Sequence, residues 1–376
     1  MKPWRIANAR ALLPQGLVDG AELGIDGERI SVPAANARDF DATGLIALPG
    51  IVDLHGDAFE RQVMPRPGVF FPDDLALADT DRQLVANGIT TAFHALTWSW
   101  EPGLRGTARA RTFVDALEKQ RPHLACDTHL HLRWETYNLD ALDEALAWIE
   151  AGRVRLLAFN DHTPAMLRMP RAKGYPGKLV DRTGLASDAF GALLEKIGAQ
   201  APAIPAANRR LSMAAQKAGL ALASHDDSSP QIRAEFRALG CRIAEFPMTL
   251  ETAKAARDAG EHVMMGAPNV VRGGSHLALV SAESLVRAGL CDVLASDYYY
   301  PALLQAPWRL AANTQELARF WPLVSENPAR AAGLADRGTL ALGQRADFIL
   351  VDPRGPRPRV AATFVAGACV YDARAH

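Results

Sequence analysis

Cysteine is scarce and dispersed in this chain. The 376 residues hold four, Cys126, Cys241, Cys291 and Cys369, with no CxxC pair. That argues against a disulfide-stapled scaffold or a thiolate zinc finger, and fits reduced thiols in a cytosolic protein. Long apolar runs are missing too. No stretch reaches the ~18 uninterrupted apolar residues expected of a membrane-spanning helix. The opening MKPWRIANARALLPQG carries no long apolar core of a secretion signal. A cytoplasmic location is therefore expected. An excess of either charge is also absent: 41 basic residues against 42 acidic leave a net −1. Such a balance gives no general attraction to nucleic acid or to an anionic membrane. Any anionic ligand must be held by a local basic site. No repeat of solenoid period is present. What remains is an ordinary globular composition, 49% hydrophobic and 22% charged.

Both ends of the chain read as β structure. AELGIDGERISVPA sets Asp26-Gly27, a strong hairpin signal, between alternating apolar residues. GTLALGQRADFILVD and RVAATFVAGACVYD near the other end look similar, with Ala366-Gly367 inside the second. Residues 1–47 and 337–376 are expected to pair into one small sheet domain. The middle, 48–336, is different. Eight short apolar runs end in polar residues, and helical patterns lie between them: LPGIVDLHGD, GITTAFHAL, ACDTHLHLRWE, VRLLAFNDHTP, LALASHDD, CRIAEFP, EHVMMGAP and DVLASDYY. Eight such units predict an α/β fold, a (β/α)8 TIM-like barrel. Residues near 165–210, rich in Pro, Arg and Gly, read as a long insertion of the kind that forms lids or binding loops.

Barrel active sites sit at the C-terminal ends of the strands. His55 and Asp57 end the first predicted strand, two residues apart and so on one face. His94 lies on the second. His129, His131, Arg133 and Glu135 lie on the third, Asp161 and His162 after the fourth, and His225, Asp226 and Asp227 after the fifth. Glu245 ends the sixth, Asn269 and Arg272 follow the seventh, and Asp297 follows the eighth. Imidazole and carboxylate together suit Zn²⁺, Mn²⁺ or a similar divalent ion. The candidate metal ligands are His55, Asp57, Glu135, His162, His225, Glu245 and Asp297. Singly, each has a plainer reading. Asp226 and Asp227 could be helix caps and no more. His94, His123, His262 and His376 are read as structural or surface residues.

LPGIVDLHGD after a β-rich leader, SHDD, SDYYYP and the closing RADFILVD resemble the amidohydrolase superfamily. The resemblance covers nearly the whole chain. It implies a metal-dependent barrel with a small β-sandwich built from both termini, holding one or two divalent ions. HLHLRWE, DHTP, IAEFPMT, MGAPNVVRGGSH and LASDYYYPALL are similar to a branch that acts on a phosphonate-bearing ribose triphosphate. Hydrolysis of a phosphoanhydride, with release of pyrophosphate and a 5-phosphate left on the sugar, is the implied reaction. The chain departs from the superfamily in three places. His-x-His is here His55-Gly56-Asp57. The strand-four Lys is missing from VRLLAFNDHTP, so Glu135 is a candidate bridge. Glu245 stands where the strand-six His would be.

A triphosphate needs cations around it. Arg272 beside Gly273-Gly274, with Ser275 and His276 following, offers guanidinium and open backbone N–H groups to phosphate oxygens. Arg66 lies in a stiff Pro-Arg-Pro turn, and Arg133 and Asn269 complete the expected substrate contacts. Lys173 and Lys178 lie in the insertion, which could close over the substrate. Asp297 and His225 are the expected catalytic residues, with Asp297 orienting water and taking its proton. Two other readings stay open: hydrolysis of a cyclic amide or amidine, and a non-catalytic scaffold of the same fold. The partner expected is a small phosphorylated sugar, with no nucleic acid or membrane. A homo-oligomer is compatible with the sequence.

Overall fold

The computed structural model describes residues 3–169, 174–274 and 280–374. Five strands open the chain: β1 (Trp4–Leu13), β2 (Gly16–Asp26), β3 (Arg29–Ser31), β4 (Arg38–Asp41) and β5 (Ile46–Pro49). Eight more follow in the middle: β6 (Ile51–Gly56), β7 (Ile89–Trp98), β8 (Asp127–Glu135), β9 (Leu156–Asn160), β10 (Ala221–His225), β11 (Ile243–Glu245), β12 (His262–Gly266) and β13 (Val293–Ala295). Three close the chain: β14 (Phe348–Asp352), β15 (Arg359–Val365) and β16 (Ala368–Asp372).

The first and last strands share one mixed sheet, in the order β16-β15-β14-β5-β1-β2-β3, with β4 on β1. Its two halves meet where β14 runs antiparallel to β5, with Ile349 opposite Leu48. Phe348 stacks on Phe364 at 4.4 Å, and Phe40 meets Phe364 edge-on. From β5 the chain passes through Gly50 directly into the barrel.

The barrel strands run β6 to β13 in sequence order, each parallel to its neighbour. A parallel bridge between Gly56 and Asp297 joins the first strand to the loop after the last. There the Asp297 N–H donates to the His55 carbonyl at 2.8 Å, and the Asp57 N–H to the Asp297 carbonyl at 2.9 Å. Asp53 ties the same seam. Its buried carboxylate accepts the Ser296 N–H at 3.0 Å and the Ser296 hydroxyl at 2.5 Å.

Alternation sorts β8 cleanly. Leu130, Leu132 and Trp134 pack outward with Phe113, Val114 and Trp148 of the surrounding helices. The residues between them share the opposite face. Leu54, Phe93, Ala158, Ala223, Ile243, Met264, Val293 and Ala295 form an apolar cluster inside the barrel. Ala223 and Ile243 each stand two residues before a polar strand-end residue, His225 and Glu245. The apolar layer therefore supports the polar one from beneath.

The 165–210 segment is largely helical. Helices Thr163–Leu167, Gly177–Thr183 and Ser187–Gly198 build a small core of Met166, Leu179, Phe190 and Leu194. Helix Ile204–Lys217 packs on β10 and on helix Leu142–Glu150, and so is a regular barrel helix. The inserted part is accordingly shorter than the sequence suggested. It is fastened to the loop after β7: Arg182 makes an ion pair with the buried Glu101 at 2.7 Å, and the Trp100 indole donates to Thr163 at 2.9 Å. Gly103 permits this approach, because a Cβ there would lie 2.1 Å from the Arg182 carbonyl oxygen. Among the described residues no helix is long and apolar enough to cross a membrane.

Candidate metal centre at the barrel mouth

Three groups of metal-competent donors gather at the C-terminal ends of the barrel strands. One is His55, Asp57 and Asp297; another is His162, His225 and Asp226; the third is His55, His225 and Glu245. The three share members and form one centre. The His55 and His225 rings stack with centroids 5.3 Å apart, and Phe246 meets both edge-on.

Glu245 is the hub. Its Oε2 lies 3.2 Å from His55 Nδ1 and 3.1 Å from His225 Nδ1. Arg133 fixes a tautomer. Its Nη2 lies 3.0 Å from His225 Nε2, and a guanidinium can only donate. His225 Nε2 therefore accepts, and its Nδ1 carries the proton toward Glu245. Carboxylates that hold the far nitrogen of an imidazole commonly orient metal-ligating histidines. Arg133 also donates to Asp57 Oδ2 at 3.2 Å, so it stands between the donor groups.

Burial, and then the Arg133 charge, hold His55 and His225 well below the usual imidazole range. Both are neutral, the form that ligates metal. Burial and then Arg133 also push His131 down to about 3; its Nδ1 bonds the Leu54 carbonyl at 2.9 Å. His162 goes the other way. Burial would lower it, but Glu135 at 2.5 Å and Asp226 at 3.4 Å outweigh that and raise it to about 9. Asp297 is raised to about 7, by burial first and by neighbouring Asp57 second.

The donor set fits a divalent cation. His55 Nε2, Glu135 Oε2 and Glu245 Oε1 are buried without a hydrogen-bond partner. Buried polar atoms in native proteins rarely stay unpaired, and an ion is one of the ordinary explanations. The backbone points the same way. Asp226, Phe246 and Asp297 adopt φ of 58°, 51° and 55°, a left-handed conformation uncommon outside glycine. Strain of this kind clusters where side chains must be aimed.

No family model matches the chain. A curated relative does: it is 34% identical to the alpha-D-ribose 1-methylphosphonate 5-triphosphate diphosphatase of Escherichia coli K12 over 355 residues, 92% of this chain and 94% of that one. The chain belongs to that diphosphatase's family. Solved structures give the fold. A dihydropyrimidinase from Brevibacillus agri aligns with a TM-score of 0.66 at 15% identity, covering 98% of this chain and 95% of its own. A prolidase complexed with N-methylphosphonate-L-proline aligns at 0.63 and 15%, covering 99% and 100%. These likenesses show the fold, a barrel with a sheet built from both termini.

Within this family member, the structure brings His55, Asp57, His162, His225, Glu245 and Asp297 together. Glu135 is held on His162. Arg133 faces the centre from β8. Asn269 Oδ1 accepts the Ala282 N–H at 3.0 Å and so braces the next helix. Arg272 is exposed and reaches the Tyr298 hydroxyl at 3.4 Å. Gly273 caps the Arg272 helix at φ 83°, with Gly274 beside it. Arg66 lies in an exposed turn closed with Val69. Ser275, His276, His376 and Lys173 lie outside the described residues. His94 is buried between Phe59 and Phe113, and His262 bonds Asp292 at 2.8 Å.

Asp226 and Asp227 are not helix caps. Ser229 caps that helix, accepting the Ile232 N–H at 3.3 Å. Asp226 joins the donor group, and Asp227 pairs at 3.1 Å with Arg233, which is fully buried. Two adjacent aspartates directly after a strand-end histidine were the available signal. Asp53 gives no such signal, being a single acidic residue inside a buried strand.

Proposed function

We propose that this protein is a metal-dependent hydrolase of α-D-ribose 1-methylphosphonate 5-triphosphate. It releases pyrophosphate and leaves the 5-phosphate on the sugar. The observation that carries this is the gathering of His55, Asp57, His225 and Asp297 at the barrel mouth of a chain 34% identical to that diphosphatase.

His55, Asp57 and Asp297 would hold one divalent ion, and His162, His225 and Asp226 a second where two bind; zinc or manganese suits these donors. A bound ion supplies a water of pKa about 7 and screens the phosphate charge. The protein does the rest. Glu245 keeps His225 Nδ1 protonated and aims its ring. An Asp297 carboxylate oxygen orients the attacking water and takes its proton. Hydrogen bonds from and to His55 and Asp57 on both sides of Asp297 fix its backbone. Arg133, turned toward substrate, offsets charge growing on the phosphoryl oxygens. The reaction is placed in the cytoplasm, in keeping with four free cysteines, three of them buried.

Metal-loaded protein is incubated with the triphosphate and followed by phosphorus NMR. Pyrophosphate release that a chelator stops is expected. No release from a folded, metal-bound sample would refute the reading and favour a cyclic amide or amidine.

A further inference from the structure

The arginines of the barrel mouth fall into two sets. Arg105 is held on Glu60 at 3.0 Å, Arg133 on Asp57 at 3.2 Å and Arg182 on Glu101 at 2.7 Å. These guanidiniums are satisfied by carboxylates. Arg61, Arg272 and Arg309 have no such ion pair among the described residues, and all three are exposed.

They come from three separate elements: two reach Tyr298, and the third lies beside the residue that follows Arg272. Arg61 follows β6 in the helix Glu60–Val63, and its Nη2 donates to the Tyr298 carbonyl at 2.5 Å. Arg272 ends the helix after β12, and its Nη1 reaches the Tyr298 hydroxyl. Arg309 lies in the last turn of the helix Pro301–Leu310. Its Nη2 would lie 3.1 Å from a Cβ on Gly273, beside Arg272. Tyr298 directly follows Asp297, so Arg61 and Arg272 border the reacting centre, with Arg309 next to Gly273 behind them.

A helix C-terminus favours a cation, and that accounts for Arg272 or Arg309 taken singly. It does not account for Arg61, nor for the convergence. Like charges gathered without paired carboxylates repel, and Asp57 offsets Arg61 only in part, so the arrangement gains stability when an anion enters. Guanidinium forks match phosphate oxygens two at a time. Three forks call for more acceptor oxygens than a single phosphate group offers, and a pyrophosphate offers them. Glycine at 273 keeps the wall between Arg272 and Arg309 bare.

We propose that Arg61, Arg272 and Arg309 form a pyrophosphate cradle around Tyr298, which holds the departing diphosphate of the substrate. This rests on the phosphoanhydride reading above. It assigns the leaving group to the strand-eight side of the mouth. The phosphonate-bearing sugar is left to the side of β8 to β10.

The test is calorimetric titration of inorganic pyrophosphate, and separately orthophosphate, into the metal-loaded full chain. Wild type is compared with Arg61→Met, Arg309→Met and, as control, Arg357→Met in the exposed loop between β14 and β15. Thermal melts check folding. Each cradle variant is expected to weaken pyrophosphate about tenfold or more, as loss of a charged hydrogen bond implies. Orthophosphate should weaken less, and the control should match wild type. Wild-type affinity in both folded cradle variants would overturn the proposal, as would absence of pyrophosphate binding to wild type. Triphosphate turnover by wild type is read separately. The pyrophosphate pattern without turnover supports the cradle and removes the reaction. Turnover without the pattern does the reverse.

Discussion

Replacing Asp297 tests catalysis and backbone geometry together. Its φ of 55° is left-handed, and its main chain carries two hydrogen bonds of the barrel seam. Asn tolerates that conformation; most other L-residues lose roughly 1–2 kcal/mol in it. Asp297→Asn should therefore keep the backbone, and it removes a charge crowded by Asp57, Asp226 and Asp53. Its melting temperature is expected within about 1 °C of wild type, under ~1 kcal/mol for a chain of this size. Turnover should fall about 10²–10⁴-fold, the usual effect of losing a proton acceptor. In the barrier that is roughly 3–5 kcal/mol. Asp297→Ala should lose as much activity and also about 1 kcal/mol of stability from backbone strain. The assay is pyrophosphate release by phosphorus NMR, with metal content measured on the same samples. Turnover near wild type in a folded, metal-bound Asp297→Asn would refute the assignment. Equal stability of the Asn and Ala variants would refute the backbone argument.

Arg233→Met removes the ion pair of buried Asp227, 3.1 Å away, and leaves Glu261, 3.0 Å away, to Arg237, so urea denaturation should show a loss of about 3–5 kcal/mol. Gly103→Ala pushes a methyl into the Arg182 carbonyl; limited proteolysis should then cut residues 163–200 faster, with a stability loss of about 1–3 kcal/mol. Burial would raise Asp292, but His262, the Val263 N–H and Arg257 hold it below the usual carboxylate range. Its stabilisation is thus complete above the unfolded pKa of about 3.9 and fades as pH falls through the lower folded value. Asp292→Asn should be less stable than wild type at pH 7, with the gap closing below about pH 4 in denaturant titrations. Zinc or manganese at 100 times its dissociation constant should add about 2.7 kcal/mol to stability, and a chelator should remove that gain.

The barrel was legible because each strand interrupts helical periodicity with a short apolar run. Each run also stops at residues too polar for a core. The terminal sheet was legible from its turn residues: Gly27 and Ala366-Gly367 stand at the β2–β3 and β15–β16 turns with positive φ. The side chains at the ends of β6 and β10 and in the loop after β13 are expected to gather because strand ends point at the mouth. What could not be read depended on backbone twist or on distance in sequence. Asp226 looks like a cap until its φ of 58° turns it toward His162. Asp53 looks like an ordinary strand residue until Ser296, 243 positions away, arrives at its carboxylate. Nothing in the sequence singles out Arg61 or Arg309, which lie far apart along the chain. The insertion was over-extended at its far end, since Pro and Arg inside helix Ile204–Lys217 resemble loop composition.

The fold alone leaves the reaction open, since a dihydropyrimidinase and a prolidase complex share this architecture at 15% identity. A water activated by a cation can attack carbon or phosphorus. What differs between those reactions is the charge that must be held away from the metal. An amide or imide brings little charge, and unpaired guanidiniums around its site would serve no purpose. A triphosphate brings a strongly anionic leaving group, and carboxylates beside the metal repel it. Arg61, Arg272 and Arg309 make no carboxylate ion pair among the described residues, and the first two hold the residue next to Asp297. The proposed choice of phosphorus over carbon rests on the 34% identical diphosphatase, and the three exposed side chains agree with it, while the donors at the mouth suit either chemistry. Loss of those three charges should raise the KM for the triphosphate far more than it disturbs metal binding. Equal losses in both would place the arginines in the metal site itself.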